Sequence, residues 1–289
     1  MKRPAKAKVG ADAAVRAALG ASVQRLFHNE PGAVAGNVEA LHRARVAVRR
    51  MRSDLRSFRP LVDRDWSDGL RQELRWLGDE FGAVRDLDVF LDRLRSGARR
   101  LTAPDQSVRS LIAGVRSDRA NARTRMVKAV RSRRFRMLAR KLVMAARSPR
   151  LTLAARTSAD AALLPIVART WKRLRSAVEA LRPQASIRAL HRIRILAKRC
   201  RYAAEAAAIT AGKPMKKLAA AAAGVQDVLG ELNDAETACR RLRRLRRNPH
   251  AASAAAALLA FEQEAAARAR AAWPHAWQAL DDKKLRAWL

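Results

Sequence analysis

Acidic residues, cysteine, aromatics and long apolar runs are all scarce in this chain, and each scarcity excludes something. Only 26 Asp and Glu stand against 61 Lys and Arg, a formal net charge of +35 over 289 residues. So few acids leave most bases without an internal partner. The compensating charge is expected from a polyanion: nucleic acid, inorganic polyphosphate or an anionic membrane surface. The two cysteines, Cys200 and Cys239, form no CxxC and no histidines cluster near them, so neither a zinc site nor a disulfide framework is indicated. Cys200 falls on an apolar stripe and is expected to be a buried thiol. Aromatics make up 4% of the chain, with one tyrosine, which leaves little for base-stacking platforms. The tryptophans at 66, 76, 171, 273, 277 and 288 are scattered and read as core or interface residues. No segment approaches the roughly 20 apolar residues of a membrane span. The best run, AASAAAALLAF from Ala251, is too short. The amino terminus MKRPAKAKVG is basic with no apolar run behind it, so no secretory signal is expected and a cytoplasmic location follows.

What is present favours helix: alanine, leucine and arginine all rank high in helix propensity. A GC-rich genome would inflate arginine and alanine together, so the placement of the arginines says more than their number.

Two stretches carry that placement. ALHRARVAVRRMRSDLRSF begins at Ala40, and ALHRIRILAKRCRYAAEAA begins at Ala189, 149 residues later. In the first, Leu41, Ala44, Val48, Met51, Leu55 and Phe58 step by three and four, one apolar face of a helix. One residue further round, His42, Arg45, Arg49, Arg52 and Arg56 make a basic stripe, with Arg43 and Arg50 beside it. In the second, Leu190, Ile193, Ala197, Cys200 and Ala204 are the apolar stripe. His191, Arg194, Lys198 and Arg201 are the basic one, with Arg199 beside it. Glu205 then takes the place of Arg56. A solvated helix face is the plain alternative. Such a face normally mixes acids with bases for i,i+4 pairing, whereas these ladders hold almost no acid before Asp54 or Glu205.

The repeat extends further. FGAVRDLDV at Phe81–Val89 aligns with LGELNDAET at Leu229–Thr237, offset by 148. The chain therefore reads as one domain, 1–289, built by internal duplication from halves at 9–150 and 151–289. Prolines and glycines divide the first half into helices near 11–28, 37–59, 65–96 and 105–147, separated at HNEPGAVAGN, Pro60 and Pro104 and closed at Pro149. They divide the second near 157–181, 186–210, 214–246 and 251–288, separated near Pro183, GKP and NPH, with a kink expected at Pro274. Helices of this length with short connections make bundles, so the expected fold is all-α: two four-helix bundles and no sheet. In the fourth helix, Val127, Val130, Leu138 and Leu142 define an inward face, and Arg134 and Lys141 fall on that stripe. Inward bases need carboxylate partners or a wet cationic cavity.

The ladders resemble the signature of the conserved histidine α-helical domain, the CHAD family: a histidine followed by bases at +3, +7, +8 and +10. Here those are His42, Arg45, Arg49, Arg50 and Arg52, and then His191, Arg194, Lys198, Arg199 and Arg201, with Tyr202 matching the family's RY. LGDEFGAVRDLDV from Leu77 is similar to its second motif, with Gly82, Arg85, Asp86 and Asp88. The later copy keeps Gly230 and Asp234 but has Asn233 for the arginine and Glu236 for the second aspartate. The resemblance implies two four-helix bundles related by approximate two-fold symmetry, a basic cavity or pore between them, and binding of inorganic polyphosphate. The ExExK motif of the triphosphatase domains fused to some members is absent, so a stand-alone binding module is expected.

Polyphosphate also suits the residues themselves. Arginine presents a planar fork to phosphate oxygens and stays charged at physiological pH, and a stripe rising about 5 Å per helical turn can follow a linear anion. The residues expected to bind it are the two ladders together with Arg134 and Lys141. His42 and His191 either donate to the ligand or pack and cap their helices. Sequence-independent nucleic-acid binding is the first alternative, expected to be weak and favoured at low salt. A phosphate-transferring enzyme is the second. It would need a metal-binding carboxylate cluster, yet Asp86 and Asp88 do not share a helix face, and Asp86 meets Asp234 only if the halves bring them together. No P-loop or nucleophile motif is present. The expectation is a non-enzymatic binder without cofactor or metal, associated with polyphosphate or other storage granules, whose acids anchor ladder arginines.

Overall fold

The computed structural model describes residues 9–101, 106–247 and 251–287. The breaks expected at Pro104 and within Asn248–His250, the basic residues 1–8, and Trp288 lie outside the described residues. Among the described residues the fold is all-α. There is no strand, only isolated backbone bridges at Gly10–Ser158 and Val62–Leu151. The helices are α1 (Ala11–Ala35), α2 (Val38–Ser57), α3 (Arg64–Ala98), α4 (Gln106–Arg131), α5 (Arg133–Arg147), α6 (Ala159–Glu179), α7 (Ile187–Ala211), α8 (Lys213–Leu245) and α9 (Ala252–Leu280), with 3-10 turns at Leu153–Arg156 and Lys283–Arg286.

The last helix, expected to reach residue 288, ends at Leu280 and is followed by the Lys283–Arg286 turn. Two further boundaries differ from the sequence expectation, each for a local reason. The first helix does not stop at residue 28; it runs through Pro31 to Ala35. Proline removes one backbone hydrogen bond, but Pro31 faces solvent. The next residue also holds the two helices together: a Cβ on Gly32 would lie 2.8 Å from that of Ala40 in α2. The turn comes at Gly36, whose φ of 100° suits glycine, and the Asn37 N–H donates to Gly32 O at 2.9 Å. The second difference is the fourth helix, which breaks at Ser132. Its hydroxyl donates to Ala129 O at 2.6 Å and accepts the Phe135 N–H at 3.2 Å, ending α4 and capping α5.

Side-chain caps also start the two ladder helices. Asn37 accepts the Ala40 N–H at 2.9 Å, and Ser186 accepts the Ala189 N–H at 3.2 Å. Capping is thus the work of these residues and not of His42 or His191.

Sequence neighbours pack on one another, α1 to α4 in one half and α6 to α9 in the other. Trp171 and Trp277 stack at 5.7 Å, tying α6 to α9. A continuous apolar core crosses the two halves through α1, α2, α3, α5, α6, α7 and α8. A smaller cluster closes one end, where Phe90, Leu94 and Leu111 meet Leu242 and Leu258. Trp66, Trp76 and Trp273 pack against the main core. Cys200 and Cys239 are buried free thiols, and burial pushes Cys200 up to about 12.

Candidate polyanion site

Every apolar ladder position named above, from Leu41 to Phe58 and from Leu190 to Ala204, is buried. With that stripe fixed against the core, the basic stripe one residue round is carried to the core's edge. There it meets its counterpart. His42, Arg45, Arg49 and Arg50 of α2 and His191, Arg194, Lys198 and Arg201 of α7 line one pocket of about 650 Å³. α3 and α8 complete the walls, with Asp86 and Arg85 on one side and Asp234 and Asn233 on the other. Nine arginines and one lysine line it against three aspartates, so the pocket is strongly cationic.

Asp86, together with Glu205 and Asp54 behind the pocket wall, positions its arginines, whereas Asp227 and Asp234 make no ion pair among the described residues. Arg45 pairs with Asp86 at 3.1 Å. Arg201 pairs with Glu205 at 2.8 Å. Arg50 reaches from α2 across to Glu205 of α7, also pairs with Asp54 at 3.5 Å, and lies over the Tyr202 ring at 4.9 Å. Burial pushes the Asp54 carboxyl up to about 7, against the pull of Arg50. Asp88 faces away from the pocket and pairs with Arg119 of α4, so it anchors no ladder arginine.

Arg49, Arg85, Arg194 and Lys198 have no ion pair among the described residues. The Nε groups of Arg49 and Arg194 are buried and have no hydrogen-bond partner in the protein. Burial, then Arg49, Arg194, Arg45 and Arg201, push Lys198 down to about 7. Burial also lowers Arg194, against Asp234, and lowers His42, with Arg85 adding to the effect. The His191 ring Nδ1 lies 2.9 Å from Asn233 Oδ1, which holds it at the pocket rim. Such a cluster of buried like charges is stabilised by an anion brought from outside, since its own donors are free to receive phosphate-type oxygens.

Residues 17–243 match the family model of the CHAD domain. The chain belongs to the CHAD family. Two solved structures resemble it over nearly its whole length. PptA from Streptomyces chartreusis is 26% identical with a TM-score of 0.75, over 93% of this chain and 99% of that one. The CHAD domain from the plant Ricinus communis is 27% identical with a TM-score of 0.74, over 97% and 94%. No curated protein matches the chain.

Within this CHAD chain the expected site residues separate into four places. Eight line the pocket just described. Arg56 and Arg199 line a different groove, beside α6. Arg52 lies outside both, half-buried, with Asp79 offsetting the burial that lowers it. The inward placement of Arg134 and Lys141 is corrected. The break at Ser132 resets the helical phase, so Phe135, Leu138 and Leu142 turn inward while Arg134 and Lys141 are exposed. Arg134 pairs with Glu73 at 2.8 Å and lies over Trp76 at 4.3 Å.

The pocket also contains bases that the ladders do not reveal: Arg25 of α1, Arg93 of α3 and Arg241 of α8. Arg93 bridges the halves through Glu231 at 2.8 Å and Glu262 at 2.5 Å, and Arg241 donates to Asp86 O at 3.1 Å. Arg93 and Arg241 carried a legible signal. They are 148 apart, each four residues beyond a copy of the second motif and seven residues after Asp86 or Asp234. Arg25 sits among apolar neighbours with no repeat partner to mark it.

Proposed function

We propose that this CHAD domain binds inorganic polyphosphate, without chemistry, in the pocket where the two ladders face each other. The observation that carries the reading is the group of Arg49, Arg194 and Lys198: they line one pocket, none makes an ion pair among the described residues, and the buried Nε groups of the two arginines have no hydrogen-bond partner. Burial first, and these arginines second, push Lys198 down to about 7. A chain with about one charge per phosphate supplies the missing negative charge at several points along both helices. Guanidinium forks match its oxygens. The scarcity of large aromatic side chains around the pocket, where Phe90 and Tyr202 are joined only by the imidazoles of His42 and His191 among the described residues, argues against base stacking as the mode of recognition. Asp86 serves as an anchor for Arg45. Binding of this kind would place the protein on polyphosphate granules. No described helix is long and apolar enough to cross a membrane.

The test is a titration with long-chain polyphosphate against DNA and RNA at matched charge in about 0.15 M salt. Much tighter binding of polyphosphate is expected. Equal affinity for all three, with the same salt slope, points instead to sequence-independent nucleic-acid binding.

A further inference from the structure

The ladders differ in sign of charge at one position, Arg56 against Glu205, and the structure turns that difference into a second cationic groove. Positions 50 and 199 are 149 apart, as are 56 and 205. On one side of the molecule Arg50 pairs with Glu205. On the other side the corresponding residues are Arg199 and Arg56, and the acid is replaced by a base. These two arginines line a groove of about 430 Å³ between α2, α6 and α7, together with Arg59, Arg169 and Arg173 and with no carboxylate in its walls. Arg59 is occupied by Asp68 at 2.8 Å. The other four have no ion pair among the described residues. Burial lowers both Arg56 and Arg199, and Arg173 contributes to each. The groove shares no residue with the ladder pocket.

We propose that this groove is a second anion site, taking one phosphate group through Arg56, Arg173 and Arg199. The phosphate replaces the carboxylate that Glu205 supplies on the other side. A lining whose charged groups are all arginine favours a tetrahedral oxyanion that accepts paired N–H donors over a diffuse cloud of counterions. The group comes either from free phosphate or from the end of a phosphoanhydride chain. The proposal does not depend on what occupies the ladder pocket.

The experiment follows thermal stability and calorimetric binding with inorganic phosphate and with tripolyphosphate. It uses an Arg49→Gln/Lys198→Gln background, in which the ladder pocket is weakened. Ligand should raise the melting temperature of that protein and bind once per chain. Arg56→Glu recreates the Arg50–Glu205 pairing with Arg199. It should raise stability in phosphate-free buffer and weaken ligand binding at least about tenfold, the effect of losing a hydrogen bond to a charged group. Arg173→Gln, on an exposed helix face, should weaken binding without the gain in stability, and it keeps the test valid if the glutamate variant folds poorly. Saturation by phosphate assigns the site to the free ion, and saturation by tripolyphosphate alone assigns it to chain ends; both uphold the proposal. Ligand effects that are absent from the background protein, or unchanged in both Arg56→Glu and Arg173→Gln, overturn it.

Discussion

The guanidinium of Arg194 rests against α8 at Gly230, where a Cβ would lie 3.4 Å from Nε and 3.5 Å from Nη2. Arg45 makes the same approach to Gly82 of α3, at 3.6 and 3.7 Å. The two glycines are 148 apart and the two arginines 149. Each glycine gives its arginine room to lie between two helices, so a motif on one helix sets the position of a base on another.

Space, not backbone freedom, is therefore what Gly82 supplies. Gly82→Ala should keep polyphosphate binding and add up to about 1 kcal/mol of stability from helix propensity. Gly82→Leu should push Arg45 from its place and weaken binding. Thermal unfolding and calorimetry on both variants decide this. Equal binding by the alanine and leucine variants would remove the role given to the glycine.

The ladder pocket separates residues that look equivalent in sequence. Arg49→Gln and Lys198→Gln should each weaken polyphosphate binding and flatten its salt dependence, because fewer counterions are displaced. Arg52→Gln, just outside the pocket, should do less, and the exposed pair Arg243 and Arg246 should do least. Salt-dependent titrations of all four rank them. A control pair as damaging as Lys198 would make the basic surface diffuse.

Lys198 makes binding depend on pH. Its amine is half-charged near pH 7 in the free protein, and a bound polyanion restores the charge. Binding at pH 8 should take up protons, and affinity should fall as pH rises from 6 to 9. Calorimetry in buffers of different ionisation enthalpy measures the uptake, and Lys198→Arg should abolish it. Stability of the free protein runs the other way. Between about 7 and the ordinary lysine value of 10.5 the unfolded chain holds more protons than the folded one, so Lys198 makes the fold more stable as pH rises. No change in stability over that range would contradict the burial of the amine.

A binding role predicts an unaltered ligand. Incubation of polyphosphate with the protein and magnesium should leave the chain-length distribution unchanged, as gel electrophoresis would show. Phosphate release that disappears in Asp86→Asn would overturn the non-enzymatic reading.

The sequence by itself determined the helical class and the phase of both ladders. Alternation of three and four is a property of single helices, and every apolar position it marked in the two ladders is buried. It also contained the correspondence of Gly82 with Gly230 and of Asp86 with Asp234. Arg134 shows where a local rule fails. A stripe followed through Val130 and Leu138 assumes an unbroken helix, and one hydroxyl at Ser132 shifts the phase. The tertiary structure alone decided which bases share a pocket. Arg49 and Arg52 lie on one stripe, yet only Arg49 reaches the pocket, because Arg52 lies against α3 beside Gly78 and Asp79. The packing of α2 on α7 places Arg50 on Glu205 and Arg56 in one groove with Arg199. No spacing within either helix encodes those pairs, because they depend on how two helices 149 residues apart in sequence lie against each other.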